Sequence, residues 1–227
     1  MQRPDRAGRR CRLDKVAGLV EAWYAGSKGA DAVANILFGD TDPTAKLPIT
    51  FPGSENDLPH PELLIPPPPA PANPRPLTKP TFEVKYDEGL KVGYKWYDDE
   101  NKPVLFPFGH GLSYTTYAYS DLKVTPGSQT TVTFAVKNTG SRAGAEIAQV
   151  YAALPASAGE PPKRLVGFTK VWLKAGESKL VSVTIPQKYL SIFDEALDSW
   201  KLVPGLYTIM AGGSSAKLPL TTKIDLR

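Results

Sequence analysis

The sequence predicts a mainly β chain: an immunoglobulin-like β-sandwich at the C-terminus, preceded by a smaller mixed segment of helices and short strands. Three observations predict it. From Tyr117 onward apolar and polar residues alternate with a period near two, the mark of half-buried strands. Turn signals punctuate that stretch at Asn138-Thr-Gly140, Ala175-Gly-Glu177 and Pro204-Gly205. Before it, apolar residues recur at helical spacing and a proline tract follows. About seven short strands over about 100 residues fit two packed sheets. The single cysteine, Cys11, leaves apolar burial alone to hold those sheets together.

Taken in order, residues 1–13 are expected to be a disordered leader. Arg3, Arg6, Arg9, Arg10 and Arg12 repel one another and resist packing. Val16, Leu19, Val20 and Trp23 recur at helical spacing after Asp14, a candidate N-cap. Ala30, Val33, Ala34, Leu37 and Phe38 form the stripe of a second helix, with Gly39 as its stop. Residues 47–51 read as a short strand, which Pro48 confines to an edge or a strand start. Residues 58–80 hold most of the prolines and are expected to be an extended linker. Phe82, Val84 and Tyr86 alternate as in a strand, and residues 92–97 are rich in β-formers.

Residues 102–117 form the joint between the two halves. Pro103 and Pro107 forbid helix, and Gly109 and Gly111 open backbone angles closed to other residues. Phe106, Phe108, Leu112, Tyr114 and Tyr117 bring large apolar area. Past the joint, Val132, Phe134 and Val136 share one face. Ala148 and Val150 lie opposite Ile147, Gln149 and Tyr151. Residues 165–173 read as a strand pair, Val181, Val183 and Ile185 share a face, and Tyr207, Ile209 and Ala211 form another strand. Residues 217–226 close the sheet.

Composition narrows function by exclusion. No apolar run approaches the ~20 residues of a membrane helix, so no membrane partner is expected. A net charge of +4 without a basic stripe argues against nucleic acid. One cysteine and two histidines, His60 and His110, leave no motif for a metal, and no cofactor is expected. The start lacks the apolar core of a secretory signal, and the sequence assigns no compartment.

The literal residues add a resemblance. Glu21-Ala-Trp-Tyr-Ala-Gly26, Asn35-Ile-Leu-Phe-Gly-Asp40 and Ala45-Lys-Leu-Pro-Ile-Thr-Phe-Pro52 resemble ordered segments of glycoside hydrolase family 3, the β-glucosidase and β-xylosidase family. So do Tyr86-Asp-Glu-Gly89, Val92-Gly-Tyr-Lys-Trp-Tyr97 and the joint, Phe106-Pro-Phe-Gly-His-Gly-Leu-Ser-Tyr-Thr115. Val136-Lys-Asn-Thr-Gly140, Gln149-Val-Tyr151 and Leu165-Val-Gly-Phe168 are similar to the family's fibronectin type III-like domain. Ala25 stands where the family carries proline, and Lys95 where it carries arginine. The resemblance implies the C-terminal portion of a β-glucosidase. Residues 14–112 would be a partial α/β sandwich domain, and residues 113–227 the fibronectin type III-like β-sandwich.

It also implies what the chain lacks. The family's nucleophile is an aspartate on an upstream barrel, and its acid/base a glutamate upstream of residue 21. A retaining glycosidase needs both carboxyl groups about 5–5.5 Å apart. Neither motif is present, so no catalytic residue is assigned and the chain alone is expected to be inactive. A β-glucoside or oligosaccharide is the expected partner only within the intact enzyme, with a barrel domain or subunit supplied elsewhere. The arginine-rich start, where the family carries an apolar strand, leads to the expectation of a truncated or frameshifted reading. The alternative is a carbohydrate-binding or scaffold module that pairs with a separate catalytic subunit. Bacterial relatives are often periplasmic or secreted.

The remaining candidates receive structural expectations. Phe106, Phe108, Gly109, His110, Gly111 and Tyr114 are assigned to docking at the joint, with Glu88 satisfying donors near it. His110, flanked by glycines, is expected to bond neighbouring backbone through its ring rather than act as an acid. The carboxylates at Asp40, Asp42, Asp87, residues 98–100, Asp194 and Glu195 are expected to serve turns and solvated faces. Trp23, Trp96, Trp172 and Trp200 are expected in cores.

Overall fold

A computed structural model describes residues 16–61 and 85–227. The leader, most of the proline linker and the alternation at Phe82 and Val84 lie outside these residues. The expectation of a mainly β chain holds. Among the described residues nine strands follow the joint: β3 (Tyr117–Thr125), β4 (Gln129–Asn138), β5 (Gly144–Ala153), β6 (Arg164–Leu173), β7 (Ser178–Pro186), β8 (Ser191–Asp194), β9 (Ser199–Leu202), β10 (Gly205–Gly212) and β11 (Leu220–Leu226). One sheet has the order β11-β10-β5-β6, the facing sheet β3-β4-β7, and β8-β9 form a separate hairpin.

Alternation is why these strands bury one face. On β4, Val132, Phe134 and Val136 are wholly buried, and they meet Val150, Val171, Leu173, Ile185 and Ile209 from neighbouring strands. Burying each large side chain contributes about 1.5–3 kcal/mol. The expected pair of strands across residues 165–173 is one continuous strand, β6, which stays paired with β5 through a single register shift between Val150 and Tyr151. Tyr207 ties the sandwich's corner. Its buried hydroxyl donates to the carbonyls of Val203, at 2.8 Å, and Leu190, at 3.1 Å. Tyr207→Phe removes this shared donor from both carbonyls. It is expected to lower stability by about 1–2 kcal/mol, read from urea denaturation midpoints.

Before the joint the structure holds less regular backbone. Helix α1 (Gly29–Leu37) matches the second predicted helix, and Gly39 stops it at φ +81°. The first predicted helix is absent: residues 16–26 are neither helix nor strand. Val16, Leu19, Val20 and Trp23 are all at least half exposed, so their stripe has nothing to pack on. A helix that short does not hold by propensity alone. The strand expected over residues 47–51 shrinks to β1 (Phe51–Pro52), paired with β2 (Val104–Phe106). Residues 92–97 are not a strand. Gly93 breaks the backbone at φ +63° and helix α2 (Tyr94–Asp99) follows, with Tyr97 buried. Packing overrides β propensity here. The tryptophans depart from expectation too. Trp23, Trp172 and Trp200 are half exposed, and Trp96 is partly buried.

Candidate functional site: the interdomain joint

The joint runs from β2 to β3 and is laid against β5. Its backbone turns at residues 107–110, where His110 N–H donates to Pro107 O at 3.1 Å. Two reciprocal bonds tie this turn to the chain after α1. Gly109 N–H donates to Leu47 O at 2.8 Å, and Leu47 N–H to His110 O at 2.7 Å. Gly109 has φ +78°, and an added Cβ would lie 2.2 Å from Gln149 Oε1. At Gly111 an added Cβ would lie 2.3 Å from the Ala45 carbonyl. Both glycines are needed for close approach.

β5 supplies two buried polar side chains. Gln149 Nε2 donates to Gly109 O at 3.1 Å and Gly213 O at 2.8 Å, while its Oε1 accepts from Tyr151 Oη at 2.7 Å. One amide thus joins the turn to the loop after β10. Glu146 lies at the start of β5, with its side chain 6% exposed. It faces Lys46 Nζ at 3.2 Å and accepts from Tyr119 Oη at 2.8 Å. Lys46 also donates to Gly111 O at 3.2 Å. Burial, and next the Glu146 charge, push the Tyr119 hydroxyl well above the usual phenol range.

Aromatic packing completes the contact. Phe108 stacks on Tyr94 at 4.7 Å, and Tyr94 meets Tyr151 edge-on at 6.0 Å. Tyr94 Oη accepts from Leu165 N–H at 2.7 Å, and burial pushes its pKa up to about 12. Phe106 lies edge-on to Phe51 and parallel to the His110 ring, 5.3 Å away. Tyr114 donates through its hydroxyl to Ile36 O, and Arg142 lies over its ring at 5.2 Å. Asp42 accepts from Ser113 Oγ at 2.8 Å and Tyr114 N–H at 2.7 Å. Asn138, wholly buried, holds the joint's end. Its Oδ1 accepts from Thr115 Oγ1 and Gly140 N–H, and its Nδ2 donates to Arg142 O.

The structure therefore brings Phe106, Phe108, Gly109, His110, Gly111 and Tyr114 together. Glu88 is placed elsewhere: its Oε2 lies 3.1 Å from His60 Nε2 on the segment after β1. A backbone hydrogen bond and then His60 hold its carboxyl below the usual range. His110 enters the joint through ring stacking and its backbone. Burial, and next the Lys46 charge, hold its pKa below the ordinary 6.5. The unfolded chain takes up the proton near 6.5 and the folded chain only at lower pH. His110's contribution is thus intact above 6.5 and is lost as pH falls toward its folded value. An NMR titration is expected to place its midpoint below 6.5; a midpoint at or above that value refutes the account.

Asp42, Lys46, Glu146, Gln149 and Tyr94 were not singled out from the sequence as joint residues. Glu146 and Gln149 carried one signal: polar residues inside the otherwise apolar β5, where burial demands partners. Asp42 read as ordinary turn chemistry. Among the described residues no group of three or more metal-ligating side chains gathers, and no helix is long and apolar enough to cross a membrane.

Comparison with known proteins agrees with this architecture. Residues 7–114 match the glycosyl hydrolase family 3 C-terminal domain, and residues 146–215 the fibronectin type III-like domain. The chain is 39% identical to the probable β-glucosidase H of Aspergillus fumigatus, over 90% of this chain and 24% of that protein. It is 41% identical to β-glucosidase B of Emericella nidulans, over 94% of this chain and 25% of that protein. The structure superposes on DesR, a β-glucosidase from Streptomyces venezuelae in complex with D-glucose, with a TM-score of 0.78 at 38% identity, covering 90% and 26% of the two chains. For β-glucosidase 3B from Thermotoga neapolitana in complex with glucose the TM-score is 0.79 at 35% identity, covering 94% and 28%. The chain spans about a quarter of the length of the curated relatives it matches. With both domain matches in consecutive order and the joint between them intact, the chain belongs to glycoside hydrolase family 3, as the C-terminal portion of its β-glucosidases.

Proposed function

We propose that this chain serves a retaining β-glucosidase as a structural docking portion and hydrolyses nothing by itself. In the intact enzyme the reaction is removal of terminal β-linked glucose. One observation carries the reading: the buried polar side chains of β5, Glu146 and Gln149, are spent on holding the joint. Most of the candidate carboxylates have partners of their own. Asp42 holds Ser113 and Tyr114, and Glu88 meets His60. Asp98 pairs with Lys163 at 2.7 Å, and Asp99 and Glu100 with Lys91. Asp194 accepts from the backbone of its own turn. Retaining chemistry needs two carboxyl groups open to one sugar. The purified chain is expected to release no aryl alcohol from an aryl β-glucoside above the buffer rate. Turnover that persists through stringent purification would sink this reading.

A second reading, a carbohydrate-binding module, has one observation in its favour. Phe193 and Trp200 form an exposed edge-on pair at 5.7 Å on the β8–β9 hairpin, and exposed aromatic rings stack on sugar faces. Titration with cello-oligosaccharides, followed by tryptophan fluorescence, separates the two readings. Binding that Trp200→Ala abolishes favours the module.

A further inference from the structure

The sheet face that holds the joint is only half covered. Cross-strand register places Phe168 beside Gln149, Lys170 beside Ile147 and Trp172 beside Ala145. Paired residues share a face. On β5 that face is closed over: Ala145, Gln149 and Tyr151 are buried, with the joint on Gln149 and Tyr94 of α2 on Tyr151. On β6 it is open, with Phe168 65% and Trp172 53% exposed. The covering layer reaches β6 beside them, where Lys170 Nζ donates to Thr44 Oγ1 at 2.9 Å.

We propose that Phe168, Lys170 and Trp172 form a docking face for the remaining three quarters of a family 3 β-glucosidase polypeptide, rather than for sugar. The inference rests on the docking reading above and names the surface that reading needs. Continuity carries it. The row extends, on the same strand pair, an interdomain contact already built on β5. The two aromatic anchors match the enrichment of Trp and Phe at interfaces, and Lys170, already bonded to Thr44, ties the row to the covering layer. Scattered single exposed residues need no partner. These two lie four residues apart on one strand face, next to a layer that covers their cross-strand neighbours. The relatives carry the occupant, about three quarters of their own length beyond the part this chain matches.

The test co-expresses the full 227-residue chain, tagged, with the Emericella nidulans β-glucosidase B polypeptide lacking its own C-terminal quarter. The wild-type chain is expected to retain that polypeptide. Phe168→Ser combined with Trp172→Ser is expected to weaken retention about tenfold or more, the scale of losing aromatic hot spots. The variant's own urea midpoint should not move, since both side chains are exposed. Equal retention by the variant overturns this inference and leaves the docking reading standing. No retention by the wild-type chain overturns the docking reading and this inference with it. A homodimer of the chain alone, dissolved by the same two substitutions, assigns the face to a second copy and overturns the proposal.

Discussion

Glu146→Ala is expected to destabilise the chain by about 3 kcal/mol or more, the cost of breaking a buried ion pair by removing one partner. Its carboxylate is the shared acceptor for Lys46 and Tyr119, in a site where the Lys46 side chain is only 14% exposed. Without it a buried ammonium keeps one modest partner, the Gly111 carbonyl. Glu146→Gln keeps an acceptor but not the charge, and is expected to cost about half as much. The combination of Glu146→Leu with Lys46→Met removes both charges, and should recover much of the loss. Urea denaturation of the wild type, Glu146→Leu, Lys46→Met and the double variant gives the coupling energy. If Glu146→Ala costs below about 1 kcal/mol, the pair behaves as a solvent-screened surface bridge and its role at the joint is refuted. Hydrogen exchange adds a local reading, since the amides of Leu47 and Gly109 should lose protection first.

Gly109→Ala is the second large effect, and Gly176 gives its control. Both glycines have left-handed backbone, φ +78° and +75°. A methyl group at Gly176 meets nothing within 4 Å, so Gly176→Ala is expected to cost about 1 kcal/mol of backbone strain alone. At Gly109 the same methyl lies 2.2 Å from Gln149 Oε1, 2.7 Å from its Nε2 and 2.8 Å from its Cδ. Gln149 must move, and its bonds to Gly109, Gly213 and Tyr151 are strained or lost. That adds about 2 kcal/mol or more of buried groups without partners. The expected result is a total near 3 kcal/mol for Gly109→Ala. In the Gln149→Ala background, part of that cost should disappear, because the obstacle is already gone. Equal costs for Gly109→Ala and Gly176→Ala would show that the joint does not press on β5.

These two effects depend on contacts that no window of sequence displays. The sandwich strands were legible because burial on one face imposes a period of two, and β4 keeps it for its whole length. Helix α1 was legible through its stripe and Gly39. The stripe at residues 16–23 had the same period and made no helix, because periodicity records which face is available and not whether anything covers it. Residues 92–97 had strand composition, yet a helix begins at Tyr94, because Gly93 turned the backbone and the Tyr94 ring found Phe108 and Tyr151.

What the sequence by itself determined was the mainly β class, the place of the joint, the need for glycine within it and the family. All of these rest on local alternation, local backbone freedom and literal motifs. The tertiary structure decided which side chains the joint engages. Gln149 comes from 40 residues beyond Gly109, and Glu146 lies 100 residues from Lys46. Their pairing follows from the register of β5 against its neighbours and from the docking of a segment folded earlier in the chain. Buried polar groups must find partners, but only the packed structure determines which ones are within reach.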